Sequence, residues 1–325
     1  MKIFFVYREL SDLADEKSTI LNATRDAMIA NCAVEEAKSM DSADAIIIQE
    51  KNSFKDFRYI HKLLTDPLVS KYTHKVFTIN TDDCATGLLR GLYTSIPKHR
   101  FDSRLHTSVP FMEYPNEMVF SKPTIKTPPA LLASWRGNIK SNKIRLKMIA
   151  ALQDIPEYHL EKTDSWLNHN PDEKMTYINL MQNTKFSLCP AGWAPVSFRI
   201  YESMALGRCP VIIADKFVPP IGPDWSSFAL FFPEKEIYNL HSFLHRHEEQ
   251  YEKLGNKAYN AWNSFFESSH INKYYASSLI SLIMRTPRCS RESEIKRWKS
   301  LHLFWSNKWT VPQRILNRAR KLAEQ

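Results

Sequence analysis

One short segment of this sequence, residues 185–215, places a cation and a carboxylate on a helix that follows a loop containing proline and glycine. The helix is predicted to begin near Val196, and Arg199 and Glu202 share one of its faces because they lie three residues apart. A guanidinium binds phosphate oxygens, and a carboxylate can accept hydrogen bonds from both hydroxyls of a ribose. The pattern therefore indicates a nucleotide site. The alternative for any such pair is an ion pair on a solvated helix face.

Glycine usage favours the nucleotide interpretation. The whole chain has only seven glycines, and two of them, Gly192 and Gly207, bracket this helix. Gly207 suits the left-handed residue that ends a helix, and Pro210 follows where the helix cannot continue. In a doubly wound sheet, the loop before such a helix lies at the carboxyl end of a strand, where helix N–H groups bind phosphate. We therefore expect residues 190–198 to bind a diphosphate.

Three runs of residues extend this pattern: KFSLCPAGW from Lys185, RIYES from Arg199 and PVIIADKFVPP from Pro210. Together with the later runs DWSSF and FPE, they resemble the signature of the exostosin-type glycosyltransferases. This family includes animal heparan sulfate polymerases, plant cell-wall transferases and bacterial relatives. The resemblance covers residues 175–240, and a looser likeness takes in WRGN from Trp135 together with Arg145.

The resemblance implies a GT-B fold of two Rossmann-like domains that face a cleft, and an inverting transfer from a nucleotide sugar. It implies that Glu202 binds the ribose and that Arg199 and the loop hold the diphosphate. Arg136 would approach from the first strand of the second domain; taken alone it is more simply a surface arginine, but Gly137 allows close backbone approach. The donor-binding residues expected on this basis are Arg136, Gly137, Arg145, Pro190, Gly192, Trp193, Ser197, Phe198, Arg199 and Glu202.

Two absences in the sequence bear on metal use and stereochemistry. Transferases of the GT-A type hold a metal with an Asp-x-Asp triplet, which occurs nowhere in the chain, so no metal site is expected. Many retaining GT-B enzymes carry two glutamates eight positions apart, whereas Ala194 and Pro210 stand eight positions either side of Glu202. We therefore expect a metal-independent, inverting reaction with no cofactor other than the nucleotide sugar, foremost a UDP-sugar, as co-substrate.

The catalytic base of an inverting transfer must reach the acceptor hydroxyl, and we expect it from the first domain. Asp82 and Asp83 follow the predicted strand 75–80 at its carboxyl end, where active-site loops lie, and neighbouring carboxylates raise each other's pKa. Either one could instead cap a helix over residues 85–93. Other polar residues in comparable loops leave the choice of base and of acceptor contacts open: Arg8, Glu9, His99, Arg104 and His106.

The elements that would position these residues alternate between strand and helix twice, which predicts two parallel α/β domains. The first, residues 1–122, would bind the acceptor, and the second, residues 130–240, would bind the donor. Residues 123–129 contain three prolines and are predicted to be an extended linker. Residues 241–325 are predicted to be a helical segment that packs back across the domains and ends in a basic, aromatic tail. The predicted strands are 2–7, 45–49, 75–80, 130–135, 158–161, 185–189 and 209–214, and the predicted helices are 14–30, 59–70, 142–152 and 172–183.

Composition excludes several classes of protein. With 43% apolar and 24% charged residues, the 325-residue chain is typical of a globular protein of two domains. Its five scattered cysteines form no CxxC pair, which argues against a disulfide framework and against a cysteine zinc site and favours a reducing cytoplasm. No apolar run is long enough for a signal peptide or a membrane span.

The net charge of +9 is concentrated near the C-terminus, where residues 285–321 hold eleven Lys or Arg against two Glu. The interleaved Trp298, Trp305 and Trp309 favour docking on the inner face of an anionic membrane, within reach of a lipid-linked glycan acceptor. The alternative is a solvated helix whose aromatic side chains pack on the protein body. A nucleic-acid binder would leave residues 185–215 unexplained, so no nucleic-acid partner is expected.

These observations predict a glycosyltransferase that acts on a glycan or lipid-linked glycan in cell-surface polysaccharide biosynthesis. A non-catalytic protein that binds a nucleotide sugar or a glycan and supports another transferase is the alternative.

Overall fold

The computed structural model describes residues 1–50, 58–112, 116–121, 128–164, 170–287 and 289–307. Most of the predicted linker, and the tail after residue 307, therefore lie outside the described residues. The described part of the chain forms two separate sheets in which every strand pair is parallel.

The first sheet has six strands in the order β2-β1-β3-β4-β5-β6. Its strands are β1 (Lys2–Val6), β2 (Glu35–Glu36), β3 (Ala45–Gln49), β4 (Val76–Asn80), β5 (Arg90–Tyr93) and β6 (His106–Ser108). Its helices are α1 (Thr19–Asn31), α2 (Arg58–Thr65) and α3 (Pro67–Tyr72). The central strands β3 and β4 are buried on both faces, which is why they are continuous apolar runs in the sequence.

The second sheet has five strands in the order β11-β10-β9-β7-β8. Its strands are β7 (Leu131–Gly137), β8 (Tyr158–Lys162), β9 (Thr184–Pro190), β10 (Cys209–Ile213) and β11 (Leu230–Phe231). Its helices are α4 (Lys143–Leu152), α5 (Pro171–Gln182) and α6 (Arg199–Ala205). A single large core fills this domain, with Trp135 and Phe186 from the sheet packed against Tyr201 from α6.

The sequence placed most of these elements correctly and missed three features for local reasons. The predicted helix 59–70 is two helices, because Pro67 begins α3 and the Asp66 side chain caps it by accepting the Val69 N–H at 2.9 Å. The helix considered for residues 85–93 is wrong, because this stretch contains strand β5. Gly91 allows β5 to pair closely with β4, since a Cβ at this position would lie 2.1 Å from the Thr78 carbonyl oxygen. The helix expected from Val196 begins only at Arg199.

The C-terminal helices return from the second domain to the first. They are α7 (Leu240–His247), α8 (Tyr251–Ala261), α9 (Ser268–Arg285), α10 (Arg291–Trp298) and α11 (Leu301–Asn307). Tyr275, Leu279 and Leu282 of α9 join the core of the first domain, as the sequence led us to expect. Two parallel α/β domains closed by a returning helix make up the predicted GT-B fold.

Trp298 corrects one prediction about the basic tail. Its side chain has no exposed surface, and its indole N–H donates to the Leu88 carbonyl at 2.8 Å. Trp298 therefore belongs to the core of the first domain and is not available to a membrane surface. Trp305 is exposed, whereas Trp309 lies outside the described residues. No helix in the described ranges has both the length and the apolar character that crossing a membrane requires.

Candidate active site

The loop between β9 and α6 is fixed by contacts with its own domain. The Ala191 N–H donates to the Ile213 carbonyl at 3.0 Å, and the Asn142 side-chain amide donates to the Gly192 carbonyl at 3.1 Å. Glycine at 192 lets Arg145 approach the loop closely, since a Cβ there would lie 3.0 Å from an Arg145 guanidinium nitrogen and displace that side chain. The loop residue Trp193 is 49% exposed. The backbone therefore leaves room for a cation directly against the loop.

The remaining loop residues connect the strand to the helix. Pro190 ends β9 and is buried, and Ser197 and Phe198 are half-buried. The Ser197 hydroxyl accepts the Arg199 N–H at 3.3 Å, and the Phe198 carbonyl accepts the N–H groups of Tyr201 and Glu202 at 3.0 and 3.1 Å. Because α6 is only seven residues long, any anion bound here depends mainly on side-chain cations rather than on the helix dipole.

Arg145 and Arg199 converge on the ring of Trp135. Their guanidinium carbons lie 5.7 and 5.8 Å from the ring centroid. Arg145 is half-buried and donates to the carbonyls of Ala191 and Asn138 at 3.1 and 2.7 Å. Arg199 is 7% exposed and donates to the Arg136 carbonyl. Among the described residues, neither guanidinium forms an ion pair with a carboxylate.

Two neighbouring cations repel each other, and Glu202, whose charge interacts with that of Arg199, forms no ion pair with either guanidinium among the described residues. Burial, together with the charge of Arg199, lowers the pKa of Arg145 to about 10. Charges removed from water are ordinarily paired, since an unpaired one costs several kcal/mol. The pair is therefore suited to an anionic ligand that carries more than one negative charge.

Arg136 differs from the other two arginines because protein carboxylates neutralise it. Its Nε lies 2.8 Å from Glu161 Oε2, and an Nη atom lies 3.8 Å from Glu173 Oε1. Its side chain is 8% exposed. Gly137, next to it, would place a Cβ 3.5 Å from an Arg199 guanidinium nitrogen. Arg136 thus positions Arg199 through its backbone carbonyl, and a Cβ at Gly137 would only touch the Arg199 guanidinium.

Glu202 is completely buried, and protein groups occupy both of its oxygens. Oε2 accepts the Tyr177 hydroxyl at 2.5 Å, and Oε1 accepts the Asn116 N–H at 2.9 Å. Burial raises the pKa of Glu202, and these hydrogen bonds and the charge of Arg199 oppose that rise. Its contact with a ribose stays a prediction, and it requires Asn116 to release Oε1.

The predicted base residues lie on the loop after β4, which contacts the second domain. Asp82 is buried and Asp83 is half-buried, and the Cys84 thiol donates to the Trp193 carbonyl at 2.9 Å. Cys84 has a left-handed backbone, with φ at 56°, a conformation that is strained for a residue with a side chain. Arg100 holds this conformation by donating to the Cys84 and Ala85 carbonyls at 2.6 and 3.0 Å. The structure therefore brings the two loops, 82–84 and 191–198, together.

Glu50 is a candidate that sequence reasoning missed. It follows β3, is 2% exposed, and its Oε2 accepts the Asn80 side-chain amide at 3.0 Å. Burial raises the pKa of Glu50 to about 7, and the charge of Asp82 adds to the rise. The sequence could have indicated Glu50 as a polar residue shortly after the apolar run 45–48. Its proximity to Asp82, however, follows only from the pairing of β3 with β4.

The other residues considered for the acceptor side are dispersed. Arg8 and Arg104 are paired with Glu16 and Asp102 at 2.7 and 2.8 Å, and Glu9 and His99 are exposed. The prediction that His106 contacts the acceptor substrate is wrong, because this side chain is buried on β6. Its Nε2 lies 3.1 Å from the Gly87 carbonyl oxygen, and burial lowers its pKa to about 3.

Comparison with known proteins supports the family resemblance. The sequence model of the exostosin GT47 domain matches residues 67–247, more than half of the chain. A probable glucuronosyltransferase, GUT1, of Oryza sativa subsp. japonica is 38% identical over 85 residues, which are 26% of this chain and 20% of that protein. A probable beta-1,4-xylosyltransferase, IRX10, of Arabidopsis thaliana is also 38% identical over 85 residues, 26% of this chain and 21% of that protein. The match therefore spans about a fifth of the length of these relatives.

Solved structures are more distant. MurG of Acinetobacter baumannii has a TM-score of 0.36 with 10% identity and covers 74% of each chain. TarM has a TM-score of 0.30 with 10% identity and covers 94% of this chain and 50% of its own. TM-scores this low do not establish a shared fold. The GT-B fold is instead identified from the two parallel sheets and the returning helix.

Proposed function

This chain belongs to the exostosin GT47 family, and we propose that it is an inverting, metal-independent glycosyltransferase. The donor would be a nucleotide-diphosphate sugar, foremost a UDP-sugar, and the acceptor a glycan or a lipid-linked glycan in cell-surface polysaccharide biosynthesis. The relatives named above are called glucuronosyl- and xylosyltransferases, which makes UDP-glucuronate and UDP-xylose the first donors to test.

The observation that carries this proposal is the pair Arg145 and Arg199, which share Trp135 and lack an ion-pair partner among the described residues. A diphosphate supplies the missing negative charge and enough oxygens for both guanidiniums. The absence of a side chain at Gly192 lets the Arg145 guanidinium lie directly against the loop. A neutral ligand would not compensate these charges.

The same charges would assist bond cleavage. In an inverting transfer, a base removes the proton from the acceptor hydroxyl, and the hydroxyl oxygen attacks the anomeric carbon from the face opposite the nucleotide. The bond between the anomeric carbon and the phosphate oxygen breaks, and the nucleoside diphosphate leaves with the electron pair. Arg145 and Arg199 would stabilise the negative charge that develops on the leaving phosphate.

The base is assigned to the loop after β4. Asp82 and Asp83 lie on the loop that contacts Trp193 through Cys84, so their carboxylates would face a diphosphate bound at the loop between β9 and α6 from across the domain interface. Glu50 would influence Asp82 because the two acidic groups interact inside the first domain. This division of roles assigns the donor to the second domain and the acceptor to the first.

A donor screen tests the proposal. Nucleotide release is measured for UDP-, GDP- and CMP-sugars with the wild type, with Arg145→Ala, and with Arg246→Ala as the control, since Arg246 is an exposed arginine on α7. We expect slow hydrolysis of one donor, lost in Arg145→Ala and kept in Arg246→Ala. Nucleotide binding without turnover on any acceptor would favour the non-catalytic binding protein. Absence of nucleotide binding would refute both.

Membrane docking of the tail is part of the same proposal. The segment after residue 307 would hold a cytoplasmic enzyme against the inner face of an anionic membrane. The test is co-sedimentation with vesicles that contain anionic lipid, at low and high salt. Absence of binding at low salt would contradict it.

A further inference from the structure

Three side chains that could bind a cation meet on the second domain, away from the loops described above. Glu157 precedes the edge strand β8, and His241 and His245 lie one turn apart on α7. One potential ligand atom from each, an imidazole nitrogen or a carboxylate oxygen, lies within 4.8 Å of the others. Because Glu157 is at the amino end of its strand, whereas the donor loop follows the carboxyl end of β9, the cluster is separate from the donor site.

The geometry of the cluster is close to that of a metal site. The centroids of the His241 and His245 rings are 4.5 Å apart, and His245 Nε2 lies 3.1 Å from Glu157 Oε2. A tetrahedral zinc ion bound at about 2.0–2.1 Å holds its ligand atoms about 3.3 Å apart. Glu157 and His245 are exposed and can close the remaining distance by rotating their side chains. Two histidines and a carboxylate are a ligand set that zinc accepts.

Neighbouring groups orient both imidazoles. The Tyr158 hydroxyl lies 3.1 Å from His241 Nδ1, and Glu248 Oε2 lies 2.9 Å from His245 Nδ1. Histidines that bind metal ordinarily hydrogen-bond through their second ring nitrogen in this way, which directs the other nitrogen toward the ion. A Lys185 ammonium 2.5 Å from Glu248 Oε1 fixes the carboxylate in turn.

We propose that Glu157, His241 and His245 bind a zinc ion, with water as the fourth ligand, and that the ion links α7 to the residue before the edge strand β8. The sequence led us to expect no metal site, and this proposal departs from that expectation. Because the site lies apart from the proposed reaction, the proposal of metal-independent catalysis is unaffected.

Calorimetric titration with zinc tests this site in the full-length protein after dialysis against a chelator. The wild type should bind one zinc ion, and His241→Ala and His245→Ala should each weaken that binding by about tenfold or more. His247→Ala is the matched control, because His247 lies on the same helix but contacts the Phe243 carbonyl oxygen instead. It should bind zinc as the wild type does.

Thermal unfolding provides a second measurement that does not depend on activity. Zinc should raise the melting temperature of the wild type and of His247→Ala, and should have less effect on Glu157→Gln, an exposed change that is compatible with folding. Absence of zinc binding by the wild type would overturn the proposal. Equal zinc binding by all variants would also overturn it, because the ion would then occupy other groups such as the thiols.

Discussion

The two sheets present opposite charges where their loops meet. At the carboxyl ends of the second sheet, Arg145 and Arg199 are cations without an ion-pair partner among the described residues. At the carboxyl ends of the first sheet, the corresponding groups are carboxylates: Glu50, Asp82 and Asp83. If the proposed function is correct, the difference shows how two similar α/β domains would divide one reaction, since the cationic side is suited to a leaving diphosphate and the acidic side to accepting a proton.

The two sides also differ in how closely they resemble known proteins. The exostosin GT47 model covers the whole second sheet, including the loop between β9 and α6, but begins only at residue 67 of the first domain. Residues 1–66, with strands β1 to β3 of the first sheet, lie outside that match. Each experiment below acts on one side of the comparison and leaves the other as an internal reference.

The largest effect is expected on the acidic side. Replacing the catalytic base, by Asp82→Asn or Asp83→Asn, should lower kcat by about 10²–10⁴-fold, because no carboxylate would then take the proton from the hydroxyl of the acceptor substrate. Nucleotide affinity should stay unchanged, since the arginines are untouched. Steady-state kinetics and calorimetry measure the two quantities, with Asp26→Asn on the exposed face of α1 as the control. If both variants kept full turnover, the base would lie elsewhere.

A smaller effect is expected on the cationic side. Arg199→Met should weaken UDP binding by about 100-fold, or about 3 kcal/mol, because it removes one of the two guanidiniums available to the diphosphate. The methionine keeps an apolar contact with Trp135, so the fold should remain. Calorimetry measures the affinity, and thermal unfolding checks the fold. An affinity equal to that of Arg246→Ala would show that the diphosphate binds without Arg199.

The pH dependence of stability tests Glu50. Burial raises its pKa from 4.5 to about 7, so between these values the folded protein keeps a proton that the unfolded chain has released. The contribution of the neutral Glu50 carboxyl to the free energy of unfolding is therefore complete below about pH 4.5, and it is lost as the pH rises to about 7. The loss approaches about 3 kcal/mol at pH 8.

Glu50→Gln should remove this loss, because glutamine stays neutral at every pH. Urea unfolding at pH 5 and pH 8 should show the variant gaining stability relative to the wild type at the higher pH. Glu36→Gln, at an exposed glutamate on β2, should follow the wild type. Parallel curves for the wild type and Glu50→Gln would mean that Glu50 is ionised throughout.

Much of the fold was predictable because it depends on local sequence. The run AIIIQ of β3 and the pattern of loop, helix and glycine stop after β9 are each contained in a few residues, and Gly207 has the predicted left-handed conformation with φ at 67°. Strands β5 and β6 were missed because they are short and carry polar residues such as Arg90 and His106. These residues are buried only because other elements cover them.

The sequence by itself determined the two α/β domains, the loop and helix after β9 and the family, because apolar periodicity, turn residues and short motifs act over neighbouring positions. Tertiary structure alone decided which charges are paired. Arg136 forms an ion pair with Glu161, whereas Arg199 forms none with a carboxylate among the described residues. The pairing of β3 with β4 brings Glu50 near Asp82. Tertiary packing also buries Trp298 in the core of the first domain and places Glu157 beside His245. Contacts between distant positions depend on how the elements pack, and no local pattern specifies that packing.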